Sequence, residues 1–246
     1  LLDTAMSKIN AFMQKGKEKG KVTDDDTQQV ENHLTTTTDL NAAAQVELII
    51  EAVPEHMDLK KQLFIQLDEL ALENTILASN TSSLSITQLA SVTHRPALVA
   101  GLHFFNPVQL MKLVEVIQGK RTSDEVMDKL IALAKALGKT PVRTKDTPGF
   151  IVNRVARPFY GEAIKLLSEH QGSKEMVETI DTVMKDAGGF RMGPFELMDL
   201  IGIDVNFDVT QSVYNATFQE ARYKPNMIQQ RMVEAGLLGR KTGEGF

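Results

Sequence analysis

Between residues 46 and 145 the sequence alternates short apolar segments with longer amphipathic ones. Short runs rich in Val, Ile and Leu are typical of buried strands, whereas apolar positions spaced three and four apart are typical of helices. Strands that alternate with helices in this way indicate βαβ units and a mostly parallel sheet. The predicted strands are 46–53, 75–79, 97–105, 113–117 and 140–144, and the predicted helices are 58–72, 86–91 and 124–137.

The pattern is helical on both sides of this region. Residues 2–20 are amphipathic, and Thr23 is a suitable N-cap for a second short helix that opens with three aspartates. Beyond Pro148 the helical spacing continues to the end, over the segments 150–169, 173–187, 194–218 and 225–236. The sequence therefore predicts the α/β class, with an open α/β domain over residues 1–147 and an all-helical domain over residues 148–246.

Composition excludes several classes of function. The 246 residues include no Cys, which removes disulfides, cysteine nucleophiles and thiolate metal sites and agrees with a cytoplasmic protein. The net charge of −5 argues against nucleic acid as a partner, and no apolar run reaches the roughly 18–20 residues of a membrane span. No two histidines have the spacing of a metal-binding pair on a helix, so we expect no metal.

His103 is the histidine most suited to chemistry, because it ends a predicted strand and precedes two aromatic residues. In open α/β sheets, ligands bind beyond the carboxyl ends of the strands. A buried histidine with a purely structural role would produce the same pattern, and position alone favours neither reading. The other four histidines have polar neighbours and are predicted to lie on the surface: His33, His56, His94 and His170.

Glu115 lies between two valines on the predicted strand 113–117. A carboxylate there is either exposed on an edge strand or buried with a partner. Twelve residues separate it from His103, which is enough for the chain to fold back and bring the two together. A carboxylate bound to one ring nitrogen would fix the tautomer and leave the other nitrogen to act as a general base. Both readings of Glu115 remain open at this point.

Two further polar segments are candidates for ligand binding. Ser82 belongs to a run of amide and hydroxyl side chains that follows the strand 75–79, and Asn153 lies in the first turn after Pro148. Each also has a structural reading, because such side chains cap helices and bind loop backbone. The G-x-G-x-x-G fingerprint of dinucleotide-binding loops is absent from the sequence. The residues by themselves therefore predict a His/Glu acid–base site and name no cofactor.

Several long motifs follow one another over nearly the whole chain. They are Ala78-Ser-Asn-Thr-Ser-Ser-Leu84, Gly101-Leu-His-Phe-Phe-Asn-Pro107, Met111-Lys-Leu-Val-Glu-Val-Ile117, Asp146-Thr-Pro-Gly-Phe-Ile-Val-Asn-Arg154, Met192-Gly-Pro-Phe-Glu-Leu197 and Leu238-Gly-Arg-Lys-Thr-Gly-Glu-Gly-Phe246. In this order the motifs resemble those of the 3-hydroxyacyl-CoA dehydrogenases, and most of all the bacterial subfamily of 3-hydroxybutyryl-CoA or phenylacetate catabolism.

This resemblance implies a Rossmann-like domain and the NAD-dependent oxidation of (S)-3-hydroxyacyl-CoA to 3-ketoacyl-CoA. It implies that His103 is the general base and that Glu115 orients it. By the same resemblance, Ser82 binds the substrate oxygen beside the cofactor, and Asn153 holds the substrate against the histidine.

The resemblance also implies contacts with NAD and with CoA. The positions that match NAD contacts are Glu55, Lys60, Ser82, Asn106 and Lys241. By the same resemblance, Lys19 falls near the lysine that binds a phosphate of CoA. The helical domain is the part through which members of the family form homodimers and complete the acyl site.

The sequence departs from the family pattern in one respect. The family carries its glycine-rich loop in a β-α-β unit ahead of the helix that opens this chain, so the predicted Rossmann-like domain is incomplete at its N-terminus. We expect that unit to precede these residues in the natural protein. Two alternatives stay open: a non-catalytic relative that binds acyl-CoA or a dinucleotide, and the dehydrogenase part of a multifunctional fatty-acid oxidation protein.

Overall fold

A sheet with the order β1-β2-β3-β4-β5 forms the centre of the first half of the chain. The computed structural model describes residues 2–170 and 172–246. Strands β1 to β3 are parallel, β4 runs antiparallel to β3, and β5 is parallel to β4. The strands are β1 Leu48–Glu51, β2 Ile76–Ser79, β3 Val99–Phe104, β4 Leu113–Gln118 and β5 Thr140–Lys145. The prediction of a mostly parallel sheet is therefore confirmed.

Among the described residues, three helices precede the sheet along the chain, and three more connect its strands and pack on its faces. They are α1 Leu2–Glu18, α2 Asp24–His33, α3 Leu40–Ala43, α4 Met57–Leu70, α5 Ile86–Ala90 and α6 Asp124–Ala136. Thr23 caps α2 as predicted, since its hydroxyl accepts a hydrogen bond from the amide of Asp26. The segment 40–43 was not among the predicted helices, because its single turn is too short to show a period.

Alternate residues of the strands face two separate cores. Leu77 and Val99 pack with α4 and α5 on one face, whereas Ala78 and Ala100 pack with α6 on the other. Both faces of the sheet are thus buried, which explains why the strands read as continuous apolar runs. The central strands also end at a common edge, where the predicted site residues gather.

The second half of the chain is helical, as predicted. Its helices are α7 Val152–Glu169, α8 Lys174–Asp186, α9 Pro194–Ile201, α10 Ile203–Ala216 and α11 Met227–Glu234. They pack around a core that includes Tyr160, Leu167 and Phe195. The placement of the domain boundary between residues 147 and 148 stays a prediction.

One helical prediction is wrong in detail. The segment 194–218 was predicted as a continuous helix, but Gly202 interrupts it with a φ of +104° and separates α9 from α10. That backbone conformation is accessible to glycine and strained for other residues.

Within residues 2–170 and 172–246, no helix is both long and apolar enough to cross a bilayer.

Candidate functional site

His103 and Glu115 meet across the ladder that joins β3 to β4. The two residues are directly paired in the antiparallel register, and Nδ1 of His103 lies 2.8 Å from Oε2 of Glu115. Both side chains are buried, at 5% and 1% exposure. Because β4 lies between β3 and β5, the alternative that placed Glu115 exposed on an edge strand is wrong.

The second oxygen of Glu115 binds the beginning of α7. Its Oε1 accepts hydrogen bonds from the backbone amides of Ile151 and Val152, each at 2.9 Å. Burial is the largest influence on the pKa of Glu115 and raises it. The hydrogen bonds from His103 and from the two amides outweigh burial, so the pKa of Glu115 lies below its ordinary value of 4.5. The carboxylate is therefore charged at neutral pH.

The charged carboxylate determines which nitrogen of His103 carries the proton. An ionised carboxylate can only accept, so Nδ1 is the donor and Nε2 of the neutral ring is left as the acceptor. The ring of Phe105 lies 4.5 Å from the imidazole, centroid to centroid, and that of Phe150 lies at 6.0 Å. This apolar surround keeps the imidazole in place and strengthens its interaction with Glu115.

The loop after β2 is organised by Glu55. Oε1 of Glu55 accepts hydrogen bonds from the hydroxyl of Thr81 at 2.5 Å, from the amide of Ser82 at 2.9 Å and from the amide of Ser83 at 3.2 Å. One oxygen of Glu55 thus fixes the backbone that presents Ser82. The other oxygen lies 3.4 Å from Nζ of Lys60.

Lys60 is almost completely buried beneath this loop. Its ammonium donates hydrogen bonds to Oε1 of Glu51 at 2.7 Å and to the carbonyl of Val53 at 3.0 Å. Glu51 is also buried, and its Oε2 accepts a hydrogen bond from the hydroxyl of Ser79. The resemblance implied that Lys60 contacts NAD, and this role stays a prediction. The structure shows a lysine that holds together the ends of β1 and β2.

Asn153 connects the two halves of the chain. Its Nδ2 donates a hydrogen bond to the carbonyl of Ser82 at 3.2 Å. Because Glu115 binds the amides that begin the same helix, α7 carries both the support of the histidine and the side chain that reaches the serine loop. The structure therefore brings His103, Glu115, Ser82 and Asn153 into one connected cluster.

A cleft of about 500 Å³ opens beside this cluster, between the sheet and α10. Asn80 lines it and accepts a hydrogen bond from the amide of Phe104, next to His103. The chemistry of the lining fits the NAD that the resemblance implies, because hydroxyl, amide and carboxylate groups surround a partly apolar floor. The lining includes Val53, Glu55, Asn80, Ser82, Ser83, Leu84, Val205, Asp208, Val209 and Ser212.

Three predicted contacts lie outside this cluster. Asn106 is exposed directly after β3. Lys241 forms an ion pair with Asp204 at the start of α10, which also carries cleft residues. Lys19 is exposed in the turn after α1, and no hydrogen bond of its side chain joins it to the other site residues described. The roles of all three stay predictions.

Sequence reasoning missed several residues that support the site. The amides of Ile151 and Val152 carry no side-chain signal, so nothing in the sequence pointed to them. Asp146 belongs to a quoted motif, but its role in capping α5, through Ser85 and Thr87, was not predicted. Arg157 was also missed, although its spacing of four residues from Asn153 could have signalled that the two share a helix face.

Comparison with known proteins shows that the chain matches two domain families. Residues 1–147 match the family described as 3-hydroxyacyl-CoA dehydrogenase, NAD binding domain. Residues 149–246 match the family described as 3-hydroxyacyl-CoA dehydrogenase, C-terminal domain. Together the two matches cover nearly the whole chain in the order expected from the sequence motifs.

Individual relatives agree with these matches. The 3-hydroxyadipyl-CoA dehydrogenase of Escherichia coli K12 is 48% identical over 99% of this chain, which spans 51% of that protein's length. The 3-hydroxybutyryl-CoA dehydrogenase of Clostridioides difficile is 42% identical over 100% of this chain and 86% of its own length. The crystal structure of (S)-3-hydroxybutyryl-CoA dehydrogenase from Ralstonia eutropha superposes with a TM-score of 0.92 at 40% identity, covering 99% of this chain and 84% of the other.

Proposed function

Because the chain belongs to the 3-hydroxyacyl-CoA dehydrogenase family, we propose that it carries out the NAD-dependent oxidation of (S)-3-hydroxyacyl-CoA to 3-ketoacyl-CoA. The chain spans about half the length of its Escherichia coli relative and most of the length of the clostridial one. The observation that carries the proposal is the buried pair of His103 and Glu115, 2.8 Å apart beside the cleft.

In the proposed reaction His103 is the general base. Nε2 accepts the proton of the C3 hydroxyl, and the resulting imidazolium donates through Nδ1 to the carboxylate of Glu115. The charge of Glu115 stabilises the imidazolium, and its bonds to the amides of α7 prevent it from turning away. General-base catalysis of this kind contributes roughly 10²–10⁴-fold to the rate.

Positioning of the substrate supplies much of the remaining rate. Ser82 is held by the hydrogen bond of its amide to Glu55, and Asn153 is held against the carbonyl of Ser82. The two side chains would bind the oxygens of the substrate and keep C3 beside the imidazole. NAD, when bound in the cleft, supplies the acceptor for the hydride that leaves C3.

The relatives differ in the acyl group for which they are named. The Escherichia coli protein is named for 3-hydroxyadipyl-CoA, whose acyl chain ends in a free carboxylate, and the clostridial protein for 3-hydroxybutyryl-CoA, whose chain ends in a methyl group. Either acyl group places a C3 alcohol beside the thioester, so the proposed chemistry is the same for both.

The direct test is formation of NADH by the full-length protein with (S)-3-hydroxyacyl-CoA and NAD. We expect NADH to form with the (S) isomer and not with the (R) isomer, since one base lies on one side of the cleft. Absence of NADH with acyl groups of four to six carbons, under conditions in which the CoA ester binds, would contradict the proposal.

We also propose that the protein is a homodimer assembled through its helical domain. An apolar groove of about 590 Å³ runs along α7, and its lining includes Val155 at 71% exposure and Phe190 at 48%. Exposed apolar surfaces of this kind are typical of interfaces. Light scattering of the wild type and of Val155→Asp tests this proposal: we expect the wild type to be a dimer and the substitution to weaken it.

The cytoplasmic location stays a prediction.

A further inference from the structure

Arg157 lies one helical turn beyond Asn153 on α7, with only 5% of its surface exposed. One side of its guanidinium is anchored firmly. Nη1 donates hydrogen bonds to the carbonyl of Asn206 at 2.9 Å and to the hydroxyl of Thr210 at 3.0 Å. Both partners belong to α10, so the guanidinium is fixed between α7 and α10.

The other edge of the guanidinium has weak partners. Nη2 lies 3.5 Å from Oδ1 of Asn153, and Nε is buried without a hydrogen-bond partner in the described structure. Nε and Nη2 form the edge with which arginine binds a carboxylate through two parallel hydrogen bonds. This carboxylate-binding edge is therefore the side that faces Asn153.

No carboxylate among the described residues forms an ion pair with Arg157, whose guanidinium lies 4.8 Å from the ring centroid of Tyr160. The arginine ion pairs found in residues 2–170 and 172–246 belong to Arg95, Arg143 and Arg240. Burial lowers the pKa of Arg157 to about 10, with a small opposing effect of Tyr160, so the guanidinium remains protonated at neutral pH. A buried charge without a counter-charge is costly unless an anion binds it.

Neighbouring side chains increase the positive charge here. Arg222 and Lys224 line a small cavity together with Arg157, and the remaining lining of this cavity is aromatic, aliphatic or amide in character. Because none of the lining residues is Asp or Glu, the counter-charge is not supplied from that side. An anion that approaches on the side of Asn153 would meet the free edge of the guanidinium.

The spacing of the two side chains suits a particular acyl group. Asn153 and Arg157 are separated by four residues, just over one helical turn and about 6 Å along the axis. In a six-carbon dicarboxylic chain the terminal carboxyl carbon is three bonds beyond C3, which at about 1.5 Å per bond spans roughly 4 Å. A substrate whose C3 lies at His103, with an oxygen bound by Asn153, can therefore direct its distal carboxylate towards the guanidinium.

We propose that Arg157 determines acyl specificity by binding the distal carboxylate of a dicarboxylic 3-hydroxyacyl-CoA. The carboxylate accepts hydrogen bonds from Nε and Nη2 and neutralises the buried cation. The inference rests on the proposed function, because it takes the acyl group to lie along α7 with C3 at His103. It makes 3-hydroxyacyl-CoA esters that end in a carboxylate the preferred substrate class.

Binding is the primary test, because it does not depend on turnover. Calorimetry compares adipyl-CoA with hexanoyl-CoA, which has the same chain length and ends in a methyl group. We expect the wild type to bind adipyl-CoA more tightly. In Arg157→Met that preference should fall by about 30-fold or more, since a hydrogen bond to a charged group is lost. Arg157→Lys keeps the charge without the planar edge and should retain part of the preference.

Arg154→Met is the matched control, because Arg154 is an exposed arginine on the same helix and should leave the preference unchanged. Turnover of (S)-3-hydroxyadipyl-CoA and (S)-3-hydroxyhexanoyl-CoA then distinguishes carboxylate binding by Arg157 from orientation of Asn153. We expect Arg157→Met to raise KM for the dicarboxylic substrate and to leave KM for the other unchanged. An equal loss of kcat/KM for both substrates would overturn the proposal and leave Arg157 to orient Asn153. A wild type without a preference would overturn it too, whereas a wild type that binds adipyl-CoA selectively but forms no NADH would contradict only the dehydrogenase function.

Discussion

His103 and Glu115 are paired residue to residue in the antiparallel ladder of β3 and β4, and their side chains point to the same face. Opposite residues in such a ladder place their side chains close together, so the register alone brings the carboxylate to the imidazole. The amides at the start of α7 then hold the other oxygen of Glu115. The sheet and the helical domain thus share one carboxylate.

Glu115 should make the stability of the protein depend on pH. Its pKa in the folded protein is below 4.5, so its contribution is fully present above pH 4.5 and is lost as the pH falls through the lowered pKa. We expect Glu115→Gln to lower the free energy of unfolding at pH 7 by about 1–3 kcal/mol. The difference from the wild type should shrink below pH 4.5, as measured by urea unfolding at several pH values.

Glu125→Gln is the matched control for that series, because Glu125 is an exposed glutamate paired with Lys129 on α6. We expect a much smaller change at pH 7. A difference between wild type and Glu115→Gln that stayed constant from pH 7 to pH 3 would show that the charge of Glu115 does not contribute.

The buried pair of Lys60 and Glu51 should be strongly coupled. Lys60→Met leaves the carboxylate of Glu51 buried without its cation, and we expect this to cost about 3–5 kcal/mol in the free energy of unfolding. Adding Glu51→Gln removes the uncompensated charge, so the double variant should be more stable than Lys60→Met alone. Urea unfolding of the four proteins in this cycle measures the coupling, and additive effects would argue against a tight pair.

A side chain at Gly202 should destabilise the protein. Its φ of +104° strains other residues, and an added Cβ would lie 2.9 Å from Oδ1 of Asp204 and 3.1 Å from Nζ of Lys241. We expect Gly202→Ala to destabilise the protein by roughly 1–3 kcal/mol, seen as a lower Tm. Gly161→Ala, in the middle of α7 with no atoms near the new methyl group, should instead stabilise it by up to about 1 kcal/mol. Equal effects of the two substitutions would contradict this account.

Much of the fold could be predicted from the sequence, because strand and helix periods are strong in the α/β half. The break between α9 and α10 was missed, since a single glycine disturbs the helical period very little and only the backbone angle reveals the turn. The site pair was one of two readings of the residues, because a carboxylate flanked by valines is either exposed on an edge strand or buried with a partner that a chain reversal of twelve residues could supply. The resemblance favoured the pair, and the register of β3 and β4 shows it.

The remaining features of the site depend on tertiary packing. Lys60 was predicted from the resemblance to contact NAD, and only the fold shows its ammonium bound to Glu51. Arg157 reads as a polar residue on an amphipathic helix, and its burial follows from the way α10 packs against α7. Backbone donors such as the amide of Ile151 leave no trace in a sequence.

The central claim is that His103 accepts the proton of the C3 hydroxyl. In the full-length protein, His103→Gln keeps much of the volume and polarity of the side chain but cannot act as a base at neutral pH. We expect kcat to fall at least about a hundredfold, while the Kd for acetoacetyl-CoA changes little. His170→Gln, an exposed histidine at the end of α7, serves as the control and should match the wild type.

Both quantities should be measured on the same preparations, with NADH formation for kcat and calorimetry for Kd. A hundredfold loss of turnover with CoA-ester binding retained is the result that this account predicts. A His103→Gln variant that binds the ester and keeps most of its turnover would contradict it, because the proton would then have another acceptor.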